Sequence, residues 1–150
     1  MTPVVDRAML LDNQLCFLVY RLHRGITDQY RPVLHELGLT YPQYLVMLVL
    51  WESGPMTVGQ IGARLHLDSG TLSPLLKRLQ SARLIERNRS QHDERTVVIE
   101  LTARGREMRD GAKQVTASLD GCLFDSANDA KALHALMSSL VSRVDNANQA

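Results

Sequence analysis

The run Ser69-Gly70-Thr71-Leu72-Ser73-Pro74-Leu75-Leu76-Lys77-Arg78-Leu79-Gln80 decides how the rest of the chain is read. Leu72, Leu75, Leu76 and Leu79 recur at steps of three and four, which makes them the buried stripe of a helix; Ser69, Thr71, Ser73, Lys77 and Gln80 then face outward. A shorter helical stretch, Thr57 to Leu65, precedes it across a tight connection, and two helices so spaced form a helix-turn-helix. Pro74 leaves the start of the second helix open. Capping preferences put Ser73 at the cap and Pro74 at the first helical position, whereas helix length favours a start at Ser69, with the proline in the second turn and an end near Ala82.

Working outward, Leu84 to Arg89 and Arg95 to Leu101 read as strands, with Ile85, Arg87 and Arg89 alternating on one and Val97, Ile99 and Leu101 on the other. Ser90 to Glu94 is their polar tip, so helix, strand, charged tip and strand follow in the order of a winged helix. On the N-terminal side Leu11, Leu15, Leu18, Leu22, Ile26, Tyr30, Val33 and Leu37 make one long amphipathic stripe. Asp12 is its expected N-cap, Gly25 and Pro32 are expected to bend or break it, and Gly38 to end it. Thr40-Tyr41-Pro42-Gln43 has capping-box spacing with an early proline, which predicts a helix from about Tyr41 to Trp51, stopped by Ser53-Gly54-Pro55. Beyond the wing, Thr102 caps a helix through about Asp120, Asn128 or Asp129 opens a last one with Leu133, Leu136, Leu140 and Val144 on its stripe, and the tail after Asp145 is expected to fray.

The fold class is therefore mainly α with a small β-hairpin wing, a winged helix-turn-helix. At 150 residues, 45% of them apolar, the chain has material for one core and one domain. Helices of about 11–52 and 103–146 flank a winged lobe of about 53–102. The terminal helices carry more apolar surface than so small a lobe can cover, so they are expected to pair with a second copy as a homodimer.

Composition narrows the function. No apolar run approaches the ~18 to 20 residues of a membrane span, and Met1 to Asp12 has the wrong order and charge for a signal peptide, so a cytoplasmic protein is expected. The two cysteines, Cys16 and Cys122, are far apart, and none of the five histidines pairs at ligand spacing, so no metal or other cofactor is implied. The net charge of +1 hides an asymmetry: Arg64 to Lys113 holds 11 Lys+Arg against 7 Asp+Glu, while the remainder holds 6 against 9. A basic segment coinciding with a helix-turn-helix points to nucleic acid.

Hydroxyls on the outward helix face can reach base edges or phosphates in a major groove, and the cations behind them, including Arg83 and Arg87, can meet the backbone. Asp68, Ser69, Thr71, Ser73, Lys77 and Arg78, with Arg89, Asp93 and Arg95 of the wing, form the candidate DNA-binding set, Arg95 being placed to enter a minor groove. A dimer would present two such helices, roughly 34–36 Å apart, to a pseudo-palindromic double-stranded operator.

Three runs together resemble the organic-hydroperoxide-sensing OhrR branch of the MarR repressors: Leu11-Asp12-Asn13-Gln14-Leu15-Cys16-Phe17, then Leu39-Thr40-Tyr41-Pro42-Gln43-Tyr44-Leu45-Val46-Met47, then Leu67 to Leu79. The wing run Asp93-Glu94-Arg95 is shared by MarR proteins generally; the cysteine run with Tyr-Pro-Gln-Tyr downstream is specific to the peroxide sensors. The resemblance extends from about Leu11 to Leu140. It implies a repressor, not an enzyme, released from DNA when Cys16 is oxidised by an organic hydroperoxide.

Taken by itself, a lone helical cysteine such as Cys16 is a small core hydrophobe. Placed near a helix start, its thiolate is favoured by the macrodipole, and a thiolate is what attacks a peroxide. The resemblance assigns thiolate stabilisation to the hydroxyls of Tyr30 and Tyr41. Fourteen residues of straight helix would hold Cys16 and Tyr30 ~21 Å apart, so either the helix bends sharply near Gly25 or, as the resemblance implies, Tyr30 comes from the other subunit. The resemblance further makes Cys122, expected between the last two helices, a resolving cysteine that forms an intersubunit disulfide, against the plainer reading of a buried bystander near Leu119, Leu123 and Phe124.

Leu15, Phe17, Met47, Leu48, Leu50 and Trp51 offer an apolar approach to Cys16 or, equally, core. A MarR-type regulator released by a small phenolic ligand without covalent chemistry is the alternative function. A thiol peroxidase with His23 as its base is a third, and nothing in the sequence resembles a peroxidase site.

Overall fold

A computed structural model describes residues 7–89, 96–124 and 126–149; for Ala8, Asp120, Gly121, Cys122 and Gln149 it describes the backbone only. Two 3₁₀ turns, Arg7–Met9 and Leu11–Asn13, lead into α1 (Leu15–Glu36), followed by α2 (Tyr41–Ser53), β1 (Met56–Thr57), α3 (Val58–Leu65), α4 (Ser69–Ser81), β2 (Ile85–Arg89), β3 (Val97–Leu101), α5 (Ala103–Leu123) and α6 (Ala127–Gln149). The three strands form one antiparallel sheet in the order β1-β3-β2. The architecture is the mainly helical winged helix-turn-helix that the sequence pattern predicts.

Local chemistry sets most of the boundaries. Gln43 Oε1 accepts the backbone N–H of Thr40 at 2.8 Å, half of a capping box that starts α2. Thr57 and Gln60 repeat the device at α3, with bonds of 2.9 and 3.2 Å. Thr102 Oγ1 accepts from Gly105 at 3.0 Å and opens α5. Gly38, at φ +68°, ends α1 as expected.

Four expectations need correction. Asp12 does not cap α1: it lies in the preceding 3₁₀ turn, and the helix begins at Leu15 after Gln14, whose side chain makes no cap bond. Nor is α1 broken. It runs as one helix through Gly25 and Pro32, because a proline costs a single intrahelical bond that packing of the C-terminal half, through Tyr30, Val33, Leu34 and Leu37, offsets. Helix α5 continues past Asp120 to Leu123, so Cys122 lies in its last turn and not in the connection. The last helix starts at Ala127, with the Ser126 hydroxyl accepting from Asp129 N–H at 3.2 Å, and extends to Gln149 without fraying after Asp145.

The core lies where α2, α3, α4, the base of the sheet and α5 meet. Val46, Met47, Leu50, Ile61, Leu72, Leu76, Leu79, Ile85, Ile99 and Val115 are fully buried there. In contrast, Leu15, Leu18, Val19, Tyr20 and Leu22 on α1 and Leu136, Leu140, Val141 and Val144 on α6 are exposed, a long apolar surface borne by the terminal helices.

Candidate DNA-facing surface and thiol groove

Asp68 resolves the uncertainty that Pro74 creates. Its Oδ1 accepts the backbone N–H of Thr71 at 2.9 Å and its Oδ2 accepts the Thr71 hydroxyl at 2.9 Å, so α4 starts at Ser69 and Pro74 falls in the second turn. These bonds hold the Asp68 carboxyl below the usual carboxylate range. Leu72, Leu76 and Leu79 face inward, while Ser69, Thr71, Ser73, Lys77, Arg78 and Gln80 are exposed together on the outer face. The sequence separates these two faces correctly except at Leu75, expected on the buried stripe and only half-buried.

In the wing, Arg87 pairs with Ile99 and Arg89 with Val97, and both arginines are exposed. Arg87 also reaches back to α4, its Nη2 donating to the Ser73 carbonyl at 3.5 Å. Asn88 donates to Glu100 across the strands. Asp93 and Arg95, with the rest of the tip at 90–95, lie outside the described residues. The sequence missed β1, whose Met56 and Thr57 pair with Ile99 and Val98 and tie the start of α3 to the wing. Two residues carry too little alternation to be recognised as a strand.

Cys16 is exposed in the first turn of α1. It lines a groove of 520 Å³ together with Leu15 and Val19 of α1 and Met137, Leu140, Val141, Val144 and Asp145 of α6. Of the expected apolar approach, Leu15 lines this groove; the rest is corrected. Met47 and Leu50 are sealed in the core, and Leu48 and Trp51 line a separate cleft against Arg109 and Lys113 of α5. The walls beside Cys16 come from α6, about 120 residues away in sequence, and no local signal could have indicated them.

Tyr30 and Tyr41 come together at the other end of α1, their rings stacked 5.7 Å apart, and Tyr44 stands edge-on to Tyr30 at 6.5 Å. Burial, then the neighbouring Tyr44, raises the Tyr41 phenol above its ordinary value. His23 sits edge-on to the Tyr41 ring at 6.1 Å, away from the thiol it was considered to serve. Because α1 is one helix, Cys16 stands ~21 Å along it from Tyr30. The two tyrosines are thus joined within the chain, and Cys16 is separate from both. Cys122 lies in the last turn of α5, and its side chain is outside the described residues.

Among the described residues no single helix is long and apolar enough to cross a membrane, and no three His, Cys, Asp or Glu side chains gather as a metal site.

The family model described as transcriptional regulator SarA/Rot matches residues 28–111. The chain is 45% identical over 133 residues to the organic hydroperoxide resistance transcriptional regulator of Bacillus subtilis, covering 89% of this chain and 90% of the relative. Among solved structures it is similar to reduced AbfR bound to DNA, a Staphylococcus epidermidis protein, at TM-score 0.78 and 35% identity over 91% of this chain and 93% of that one. The disulfide-formed structure of AbfR matches at TM-score 0.65 and 34% identity over 93% of each. AbsC, a MarR family regulator of Streptomyces coelicolor, matches at TM-score 0.76 and 25% identity over 91% of this chain and 97% of that one. With the winged fold, the family match and a relative this similar over nearly its full length, the chain belongs to the MarR/SarA family of transcriptional regulators and is not an enzyme.

Proposed function

We propose that the chain is a repressor that grips operator DNA as a homodimer and releases it when an organic hydroperoxide oxidises Cys16. The observation that carries this reading is the exposed Cys16 thiol in the first turn of α1, facing a groove walled almost wholly by aliphatic side chains. Similarity to a hydroperoxide-resistance regulator and to a protein solved both on DNA and in a disulfide form supports it. The lobe of about 53–102 holds the duplex through Asp68, Ser69, Thr71, Ser73, Lys77, Arg78, Arg89, Asp93 and Arg95, and the helices of about 11–52 and 103–146 pair the subunits, burying the apolar faces now exposed on α1 and α6.

Cys16 and Tyr30 cannot meet within one uninterrupted α1, so the phenols of Tyr30 and Tyr41 that stabilise the thiolate belong to the opposite subunit. Thiolate attack on the terminal peroxide oxygen forms an S–O bond as the O–O bond breaks, and the alkoxide leaves as an alcohol after taking up a proton. The resulting sulfenic acid is attacked by Cys122 of the partner subunit, forming the disulfide and expelling water. A disulfide needs Cα atoms within ~7 Å, and helices drawn together to meet it change the spacing of the recognition helices, so that many phosphate contacts are lost at once.

Operator binding by wild type and Cys16→Ser, each with and without cumene hydroperoxide, tests the proposal. Wild type should release and Cys16→Ser should stay bound; release of both, or of neither, overturns it. Cys122→Ser should respond transiently and form no crosslinked dimer on a non-reducing gel.

A further inference from the structure

We infer that Pro74 reads thymine: its exposed ring packs on the 5-methyl group of one thymine in each half-site of the operator, and Gly70 lets the helix approach closely enough for it to do so. The inference rests on the reading of α4 as the helix that enters the major groove, and it names within that helix the residue that selects a base and the base selected. Neither residue belongs to the hydroxyl and charged set assigned to the duplex above.

Leu72, Leu76 and Leu79 point into the core. At about 100° per residue, the line along α4 directly opposite them runs through Gly70, Pro74, Lys77 and Ser81, and all four are exposed. Thr71 and Arg78 flank that line on one side and Ser73 and Gln80 on the other, so these polar side chains stand at the shoulders of the helix and Gly70 and Pro74 on its crest. Ser81 turns back on the helix, its hydroxyl donating to the Lys77 carbonyl at 3.0 Å. Gly70 is a gap in the crest: a Cβ there would stand 3.0 Å from Asp68 Oδ1, the oxygen that accepts the Thr71 N–H and caps the helix.

Pro74 costs the helix a bond. In the second turn it has no N–H to give the Gly70 carbonyl, and with the ring exposed, packing within the chain offsets little of that loss. Its benefit therefore lies outside the chain. The ring carries no donor or acceptor, so against N7, O6, N6 or N4 it would strip water from a polar edge and return no bond. The one apolar feature on the floor of a major groove is the thymine methyl group. A helix with no side chain at Gly70 and a compact ring one turn later can lay its crest against the base edges, where a longer side chain at Gly70 would hold it off. Pro74 is thus a specificity residue.

In the test, reduced full-length protein first enriches its preferred duplex from a pool of random, symmetric double-stranded sequences. Thymines of that duplex are then replaced by deoxyuridine, one symmetric pair at a time, which removes a methyl group and leaves every hydrogen-bonding atom in place. At one pair the affinity of wild type should fall about fourfold per half-site, the contribution of one buried methyl group. Pro74→Ala gives the Gly70 carbonyl its N–H back and so keeps α4 helical. It should bind thymine and deoxyuridine equally at that pair and keep the wild-type response at every other. Wild type that is indifferent to every methyl overturns the role of Pro74 and leaves α4 in the groove. So does a Pro74→Ala protein whose affinity shifts on all duplexes alike while each wild-type methyl response is kept. Wild type that enriches no duplex from the pool overturns both.

Discussion

The indole N–H of Trp51 donates to the carbonyl oxygen of Gly105 at 2.8 Å, joining the end of α2 to the first turn of α5 across 54 residues of sequence. A Cβ on Gly105 would stand 2.1 Å from the Leu84 carbonyl oxygen, so the close approach admits only glycine. Thr102 completes the joint, its hydroxyl donating to the Arg83 carbonyl at 2.7 Å and its N–H to that of Leu84 at 3.1 Å. Gly105→Ala should therefore cost about 2–3 kcal/mol of stability by overpacking, and Trp51→Phe about 1 kcal/mol through the lost bond. Urea melts followed by circular dichroism measure both, and an undiminished midpoint for Gly105→Ala would show that the joint can shift.

Tyr41 gives the molecule a pH signature. Its phenol is raised above the ordinary 10.0 by burial and by Tyr44, so the folded chain keeps a proton that the unfolded chain has already lost. Unfolding then releases a proton, and the stability contributed below pH 10.0 is lost as pH climbs through the folded value. Denaturation midpoints taken between pH 9 and 11 should fall less steeply for Tyr41→Phe than for wild type. Parallel curves would remove Tyr41 as the source.

Tyr30→Phe removes the hydroxyl and keeps the ring that stacks on Tyr41. If Tyr30 serves the thiolate of another subunit, sulfenate formation at Cys16 should slow roughly tenfold to a hundredfold, since a hydrogen bond to a charged group contributes about 1.5–3 kcal/mol. Operator affinity in the reduced state should be unaltered. Stopped-flow oxidation beside a DNA titration reads both quantities, and unaltered oxidation kinetics would break the contact.

Leu18 and Leu136 are 50% and 58% exposed, and both belong to the apolar surface we assign to subunit pairing. Leu18→Glu should shift the mass in solution toward the monomer and weaken operator binding together with it. Sedimentation at micromolar concentration decides the matter; wild type that sediments as a monomer would defeat the assignment outright.

The sequence resolves the winged lobe well because its elements announce themselves locally. The Thr102 cap, the alternation of β2 and β3, and the leucine stripe of α4 are each legible within about ten residues, whereas the Asp68 cap of α4 goes unread. Pro74 was ambiguous because proline is as acceptable at a first helical position as it is tolerable in the second turn of a well-packed helix; the bonds from Asp68 to Thr71 decide between the two. The start of α1 was misplaced because Asp12 is a good capping residue by type, yet a 3₁₀ turn intervenes. The surroundings of Cys16 were the least legible. They depend on how α6 lies against α1, a tertiary fact; of the apolar residues that the sequence offered, Leu15 does line the groove, while Met47 and Leu50 belong to the core and Leu48 and Trp51 to a separate cleft.

The bond that Thr71 donates to Asp68 has a consequence for base reading. A hydroxyl owns a single hydrogen, and here it is already committed inside the protein, so toward a duplex Thr71 can offer lone pairs only. Phosphate oxygens, which only accept, are thereby excluded as its partners, as are guanine N7 and O6. If Thr71 meets a base, its hydroxyl is left with an exocyclic amino group, cytosine N4 or adenine N6, and its methyl with the thymine methyl, so an intramolecular cap would also narrow the bases permitted at one operator position.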